Sequence, residues 1–349
     1  MSKIYANPFF WGGPVNGNTY LARPTEEQQI ATALDNQISL VLSGNRGTGK
    51  TSILQSLLEK RPEVAIYLDL RFVVSLDTLY HLLLQALGKA FPTMESMSEY
   101  KTLQESDQIE SLSPVFDFLY ETAILDKKRI VMVWDEFHHI LKLKDNTIAE
   151  IKSKLKRQPG INNVFVSHRE DLMQELFGSP KNHFLDKYEH LILQTMDGKT
   201  FKQYLTNRFR RMGLNDFDLA AAILEFTTGL PQLTQKVAHS LAQLWLEGNT
   251  TSLLDRTIKK MLQEHNALFT AHWDNFGMNE RRLLLGLASG HSRPTELGFI
   301  AKFGLSATST AHNTVIKLLR EGWLTNRDDG YYLYDPLFLK WLQNRSGIA

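Results

Sequence analysis

Apolar and polar positions change period twice along the chain, and the changes divide it into three regions. Through residue 195, short apolar runs rich in β-branched and aromatic residues alternate with stretches whose apolar positions recur every three or four residues. This is the pattern of a parallel sheet covered by helices on both faces. The runs predict five strands, near Ile38 to Leu42, Val64 to Leu70, Ile130 to Trp134, Asn163 to Val166 and Leu191 to Gln194. From Lys199 the strand signal stops. Phe201, Leu205, Phe209 and Met212, then Leu219, Ile223 and Phe226, then Leu233, Val237, Leu241 and Leu244 keep helical spacing. After Phe276 three short helices are expected, Asn279 to Ala288, Thr295 to Phe303 and Ser306 to Glu321, with Gly304 in the turn between the last two. A hairpin follows over Trp323 to Tyr334, tipped by the strong turn signal Asp328-Asp329-Gly330. Three helices and a β-wing make the winged helix-turn-helix plan. The expected division is 1–195, an α/β core with an N-terminal leader; 196–275, a helical lid; and 276–349, a winged helix. Inside the core, the Ser-, Glu- and Gln-rich stretch Thr93 to Ser113 reads as a surface loop with one helical turn, the expected mobile insertion.

Composition narrows the function classes. The 349 residues are 43% hydrophobic and 22% charged, as in a soluble globular protein. There is no cysteine, which excludes disulfides, thiolate metal sites and a cysteine nucleophile. No apolar run approaches the ~18 residues of a membrane span, and MSKIYANPFFWGG has no signal-peptide core, so a cytoplasmic protein without a membrane partner is expected. A net charge of +1 leaves any nucleic-acid contact to a local patch.

The most informative segment is Gly44-Asn45-Arg46-Gly47-Thr48-Gly49-Lys50-Thr51, which fits G-x-x-x-x-G-K-[ST] between a predicted strand and a helix marked by Ile53, Leu54, Leu57 and Leu58. Glycines let successive backbone N–H groups turn inward around a phosphate, and the helix N-terminus adds partial positive charge. Lys50 is placed to neutralise β- and γ-phosphates, and Thr51 to offer its hydroxyl to Mg²⁺. The expected nucleotide-binding set is Gly44 through Thr51 with Ser52 beside it. A second element agrees: the buried-strand run Ile130 to Trp134 ends in Asp135-Glu136. Asp135 is the expected Mg²⁺ partner and Glu136 the base that polarises the attacking water. Ser167, at the end of the fourth strand, is a third catalytic candidate, positioned to meet the γ-phosphate or the water. Arg169 reads either as a cationic finger or as a surface arginine. His138, His139 and His168 read as solvent-facing, because adjacent histidines on a helix diverge and no third ligand has metal-site spacing.

With these motifs placed, nearly the whole chain resembles the archaeal-type ATPase family, a branch of the AAA+ and STAND group of P-loop NTPases. The leader marks are Asn7-Pro8-Phe9, Gly12-Gly13-Pro14-Val15, Tyr20 and Arg23; Asp135-Glu136-Phe137 matches the second acidic motif, with His138 where glutamine is usual. Phe201 to Met212 looks like that family's helix after the core, and Thr228-Gly229-Leu230-Pro231 with Gln235 looks like its G-x-P motif. Asp335-Pro336-Leu337-Phe338 and Trp341-Leu342 resemble its closing segment. The resemblance implies an AAA+/ASCE five-stranded core that binds ATP and ADP with Mg²⁺, and a leader near the adenine. It also implies that Pro231 lies against the base and reports nucleotide to the lid.

Two departures stand out: Ser167-His168 replaces a Gly-Ser strand end, and the G-x-P motif lacks a sensor arginine, Lys236 being the nearest cation. They imply slow hydrolysis and a nucleotide switch rather than a ring motor. Arg208, Arg210 and Arg211 form either a finger for a neighbouring copy in a homo-oligomer or a solvated helix face. In a DNA-reading winged helix the third helix enters the major groove, where Thr308, Thr310, His312, Asn313, Lys317 and Arg320 are candidates, with Arg327 in the wing. From Phe276 on, nine Lys or Arg oppose six Asp or Glu, a net of +3, with two acids at the wing tip. Three functions remain: an ATP-hydrolysing switch, an ATP-regulated binder of double-stranded DNA resembling origin-recognition or transposition ATPases, and a low-turnover STAND-like scaffold for a protein partner.

Overall fold

The computed structural model describes residues 6–106, 108–125, 129–156, 160–178, 184–185, 187–216 and 218–347. The chain forms two compact units: Pro14–Gln194, and Thr195–Ala349 together with the N-terminal segment to Gly13. Among the described residues, no helix is long and apolar enough to cross a membrane.

The first unit is built on a five-stranded sheet, β1 Ser39–Ser43, β2 Val64–Asp69, β3 Ile130–Asp135, β4 Ile161–Ser167 and β5 Tyr188–Ile192. The order is β2-β3-β4-β1-β5 and every pairing is parallel. Period-two alternation sends Val41, Ile66, Met132, Trp134 and Phe165 to one face, where they meet helices Leu76–Ala90 and Ser113–Leu125. Leu40, Leu42, Val131, Val133, Val164 and Val166 meet helices Pro24–Asp35 and Lys50–Leu58 on the other. With helices on both faces, β4 is buried at every position. Its two polar residues are satisfied: Asn162 Nδ2 donates to the Leu34 carbonyl at 3.1 Å, and Asn163 Oδ1 accepts from Trp134 Nε1 at 2.9 Å.

Two expectations for the first unit are corrected. Thr93 to Ser113 is not a loop: a 3₁₀ turn, Pro92–Ser96, leads into helix Ser98–Gln104, and Ser113 opens the next helix, Asp107 lying outside the described residues. Met94, Tyr100 and Leu112 are buried anchors in the core, and Tyr100 donates its hydroxyl to the Leu84 carbonyl at 2.9 Å. The fifth strand starts three residues earlier than expected because its exposed edge carries Glu189 and His190, which interrupt the apolar run.

The second unit opens with helices Gly198–Arg211, Leu219–Thr227, Pro231–Leu246 and the long Leu253–Asn275. Helices Met278–Ala288, Leu297–Phe303 and Thr308–Arg320 follow, then the antiparallel hairpin β6 Leu324–Arg327 and β7 Gly330–Leu333, then helix Pro336–Ser346. Three helices and a wing therefore appear where the sequence predicts them. An aromatic cluster joins this module to the long helix: Phe269 lies 5.3 Å from Phe338 and 5.9 Å from Trp341, and Trp323 packs on Phe276 at 4.9 Å, ring centre to ring centre.

The leader, grouped with the core from its sequence, packs in its described part through Gly13 on the helical unit instead. Its one large buried side chain decides this: Phe9 sits 4.8 Å from Phe209. Asn7 Nδ2 donates to the His239 carbonyl at 2.9 Å, and Arg208 Nη1 to the Pro8 carbonyl at 2.6 Å. Lys236 lies over the Trp11 ring at 4.6 Å. Arg208, which also stacks on Tyr204 at 4.4 Å, is thus a leader-binding residue rather than a free finger. Truncating Phe9→Ala is expected to destabilise the helical unit by about 3 kcal/mol, read from urea unfolding; a loss under about 1 kcal/mol is what a surface residue gives.

Candidate nucleotide site

The loop between β1 and helix Lys50–Leu58 turns on three glycines with positive φ, Gly44 at 141°, Gly47 at 77° and Gly49 at 96°. Gly44 is constrained twice, since a Cβ there would lie 2.4 Å from the Leu193 carbonyl oxygen just past β5. Gly49 is the helix N-cap, and the loop's backbone leads straight into the positive end of the helix. Arg23, buried to 7% exposure, holds the loop from outside: Nη1 donates to the Thr48 carbonyl at 3.2 Å and Nη2 to the Gln194 carbonyl at 2.7 Å. Ser52 Oγ accepts from the Val15 amide at 3.1 Å. The sequence marks Arg23 only as part of the leader; its bracing role depends on bringing residues 23, 48 and 194 together.

Lys50 is buried and donates from Nζ to the carbonyls of Gly44 at 2.7 Å and Asn45 at 2.9 Å. Burial lowers its ammonium to about 8, against the opposing pull of Glu136 and Asp135. A buried cation whose hydrogen-bond partners are two neutral carbonyls suits an incoming anion. Thr51 Oγ1 donates to Asp135 Oδ2 at 3.0 Å, which joins the loop to the end of β3. This hydroxyl–carboxylate pair is a hard oxygen donor set beside a phosphate cradle, and its chemistry fits Mg²⁺. Burial pushes the Asp135 carboxyl above its usual range, against the Thr51 bond.

Glu136 holds a left-handed backbone, φ 54° and ψ 43°, in which its amide donates to Asp135 Oδ1 at 3.0 Å. A non-glycine residue in this region is strained and is held there by its surroundings. The Glu136 carbonyl accepts from the His139 amide at 3.0 Å, and its carboxylate meets His168, whose Nδ1 lies 2.8 Å from Glu136 Oε2. Burial raises the Glu136 carboxyl, but the His168 hydrogen bond, with the charges of His168, His138 and Lys50, brings it down to about 2.

The expectation of solvent-facing histidines is corrected for two of the three. His138 is buried and its Nδ1 lies 2.9 Å from Ser167 Oγ and 3.5 Å from Glu136 Oε2. His168 is half-buried on the same carboxylate. The 3₁₀ turn Phe137–Lys142, rather than an α-helix, sets the direction of His138. Ser167 is fully buried; its Oγ accepts from the Arg169 amide at 2.9 Å, leaving its hydrogen for His138. Burial holds His138 down to about 4, so its ring is neutral at pH 7. Arg169 forks onto Asp171 at 2.9 and 2.7 Å. Pro231 occupies the first turn of helix Pro231–Leu246 in the other unit.

On the winged helix, Thr308, His312, Asn313 and Arg320 are exposed along the third helix. Several cations near them are engaged within the module. Lys317 pairs with Glu280 and lies 3.8 Å from Glu321, Arg282 donates to the Gly304 carbonyl at 2.6 Å, and Arg327 stacks on Tyr332 at 4.7 Å.

Comparison with known proteins agrees with this architecture. Residues 34–180 match an AAA domain and residues 267–344 a probable winged helix domain. No curated protein matches the chain. Among solved structures, the Walker-type ATPase PABY2304 of Pyrococcus abyssi is similar over 95% of this chain and 98% of its own, with a TM-score of 0.75 at 16% identity. The ORC2 protein of Aeropyrum pernix, solved as ADPNP-ADP complexes, is similar over 92% of each chain, with a TM-score of 0.60 at 12% identity. The Aeropyrum pernix ORC1 protein, solved in complex with DNA, is similar over 93% of this chain and 92% of its own, with a TM-score of 0.54 at 13% identity. At such identities the likeness is one of fold. The chain is an ATPase of the AAA type with a C-terminal winged helix domain, as its resemblance to the archaeal-type ATPases implied.

Proposed function

We propose that the chain is a Mg²⁺-dependent ATP switch whose hydrolysis resets a helical unit carrying the winged helix. The observation that carries the reading is the convergence, at the C-terminal ends of β1, β3 and β4, of a glycine cradle, the buried Lys50, the Thr51–Asp135 pair and the restrained Glu136.

Lys50 releases the Gly44 and Asn45 carbonyls and turns its ammonium to the β- and γ-phosphates of ATP, while the amides of Gly44 through Ser52 surround them. Thr51 and Asp135 would hold Mg²⁺, which would supply positive charge to offset the phosphate oxygens during transfer. Glu136 orients and polarises the attacking water once its carboxylate leaves His168, so the His168 contact makes turnover slow in the resting state. Ser167 sits behind this pair and holds His138 against it. Pro231 passes the occupancy of the site to its helix and so to the winged helix, which engages a partner protein. A ligand shifts such an equilibrium only by its differential affinity for the two states, and the γ-phosphate is the group that differs between ATP and ADP.

The second reading is ATP-controlled binding of duplex DNA, favoured by the exposed Thr308, His312, Asn313 and Arg320 and by the fold shared with the DNA-bound ORC1 protein. The intramolecular pairing of Lys317 and the acids at the wing tip leave few cations for phosphates, so this surface favours weak binding.

By titration calorimetry Lys50→Ala is expected to lose nucleotide binding, whereas Glu136→Gln keeps ATP and loses about 100-fold or more in phosphate release. An unchanged turnover in Lys50→Ala contradicts the site. His138 gives a pH signature, measured in chelator-containing buffer. The unfolded chain takes up a proton near pH 6.5 that the folded ring refuses down to about 4, so stability falls as pH drops through that window. His138→Gln is expected to flatten the fall in denaturant midpoints; parallel profiles for parent and variant refute the buried, neutral ring. In filter binding, duplex DNA is expected to bind no tighter than about 1 µM at physiological salt, with or without ATP; nanomolar, ATP-dependent binding selects the second reading instead.

A further inference from the structure

Glu136, His138 and His168 form a cluster whose chemistry exceeds what ATP hydrolysis asks of it. Among the described residues they are the group of metal-ligating side chains that converges: one ligand atom from each lies within 4.8 Å of the others. Two imidazole nitrogens face one carboxylate oxygen, His168 Nδ1 at 2.8 Å and His138 Nδ1 at 3.5 Å from Glu136 Oε2. The His138 and His168 rings meet edge to face with centres 5.0 Å apart, so their nitrogens approach from different directions. Ligands at zinc lie about 2.0–2.2 Å from the ion, which on a tetrahedron puts neighbouring ligand atoms about 3.3 Å apart. The two observed separations bracket that value.

We propose that Glu136, His138 and His168 bind a zinc-class dication as a two-histidine, one-carboxylate site, and that the bound ion holds the ATPase off by taking the Glu136 carboxylate as a ligand. Two neutral imidazoles and one carboxylate are a borderline-soft set that selects zinc over Mg²⁺, so the site is chemically distinct from the oxygen pair Thr51–Asp135. Occupancy needs small changes only. His168 moves its ring proton to Nε2, His138 Nδ1 gives up the Ser167 hydroxyl, and a water completes the coordination. The fixed, left-handed backbone at Glu136 and the burial of His138 pre-organise two of the three ligands. The inhibitory consequence rests on the reading of Glu136 as the base; the binding site itself does not.

The test uses the full chain, stripped with chelator and free of nucleotide. Zn²⁺ uptake is measured by competition with a chromophoric chelator, and Co²⁺ reports the coordination through its visible absorption. The expected result is one ion per chain, an affinity lowered at least roughly tenfold in both His168→Gln and His138→Gln, and inhibition of Mg²⁺-ATP turnover over the concentration range of uptake. His168, the less buried of the two histidines, serves as the variant that keeps the fold, checked by its unfolding midpoint. No saturable uptake by the parent, or parent-like uptake by both variants, overturns the site; unchanged turnover at saturating zinc overturns its inhibitory role. Turnover of the zinc-free chain separately tests the ATPase reading, so the two failures are distinguishable.

Discussion

A buried ammonium organises the first unit. Lys50 has left water, and its charge is stabilised by the Gly44 and Asn45 carbonyls and, at longer range, by the acids ending β3. Removing a cation from solvent costs several kcal/mol unless hydrogen bonds and opposite charges offset it. The compensation available here is partial, and that residual demand makes the loop a receptor for polyphosphate. Every neighbouring feature serves to keep the loop in shape while the lysine waits. Gly44 tolerates the Leu193 carbonyl at its back, and Arg23 takes the Thr48 carbonyl.

The sheet order supplies the rest of the geometry. Because β4 is inserted between β1 and β3, the phosphate loop and the acidic strand end are two strands apart, and the end of β4 lies between them. Thr51 reaches Asp135 across that gap, and His168, just past the end of β4, reaches Glu136. The strained backbone at Glu136 is then intelligible, since it turns a carboxylate back toward β4 instead of letting it run on into the next helix. A carboxylate turned in this way meets the imidazole of a neighbouring strand end at hydrogen-bond distance.

The parts legible from sequence were those written locally. The glycine cradle, Lys50 and the Asp135-Glu136 strand end each occupy a few consecutive residues whose types and spacing report their own environment. The wing hairpin was legible for the same reason, through Asp-Gly at its tip. The parts that escaped depend on distance in sequence. Nothing near His168 says that β3 and β4 will be neighbours, so its approach to Glu136 appears only once the register pairs Trp134 with Phe165. Met94 and Tyr100 were hidden among Ser and Glu because a short helix with a single buried edge gives few apolar positions to count. Phe9 carried no hint of which body it would join, since an isolated aromatic states that it will be buried and not where.

The aromatic cluster of Phe269, Phe276, Trp323, Phe338 and Trp341 straddles residue 276, the point at which the hydrophobic pattern changes. The change of periodicity at that point therefore falls within a packed interior. The wing shares an interior with the long helix before it, so that swinging one without the other would pull Trp323 off Phe276 and Phe338 off Phe269.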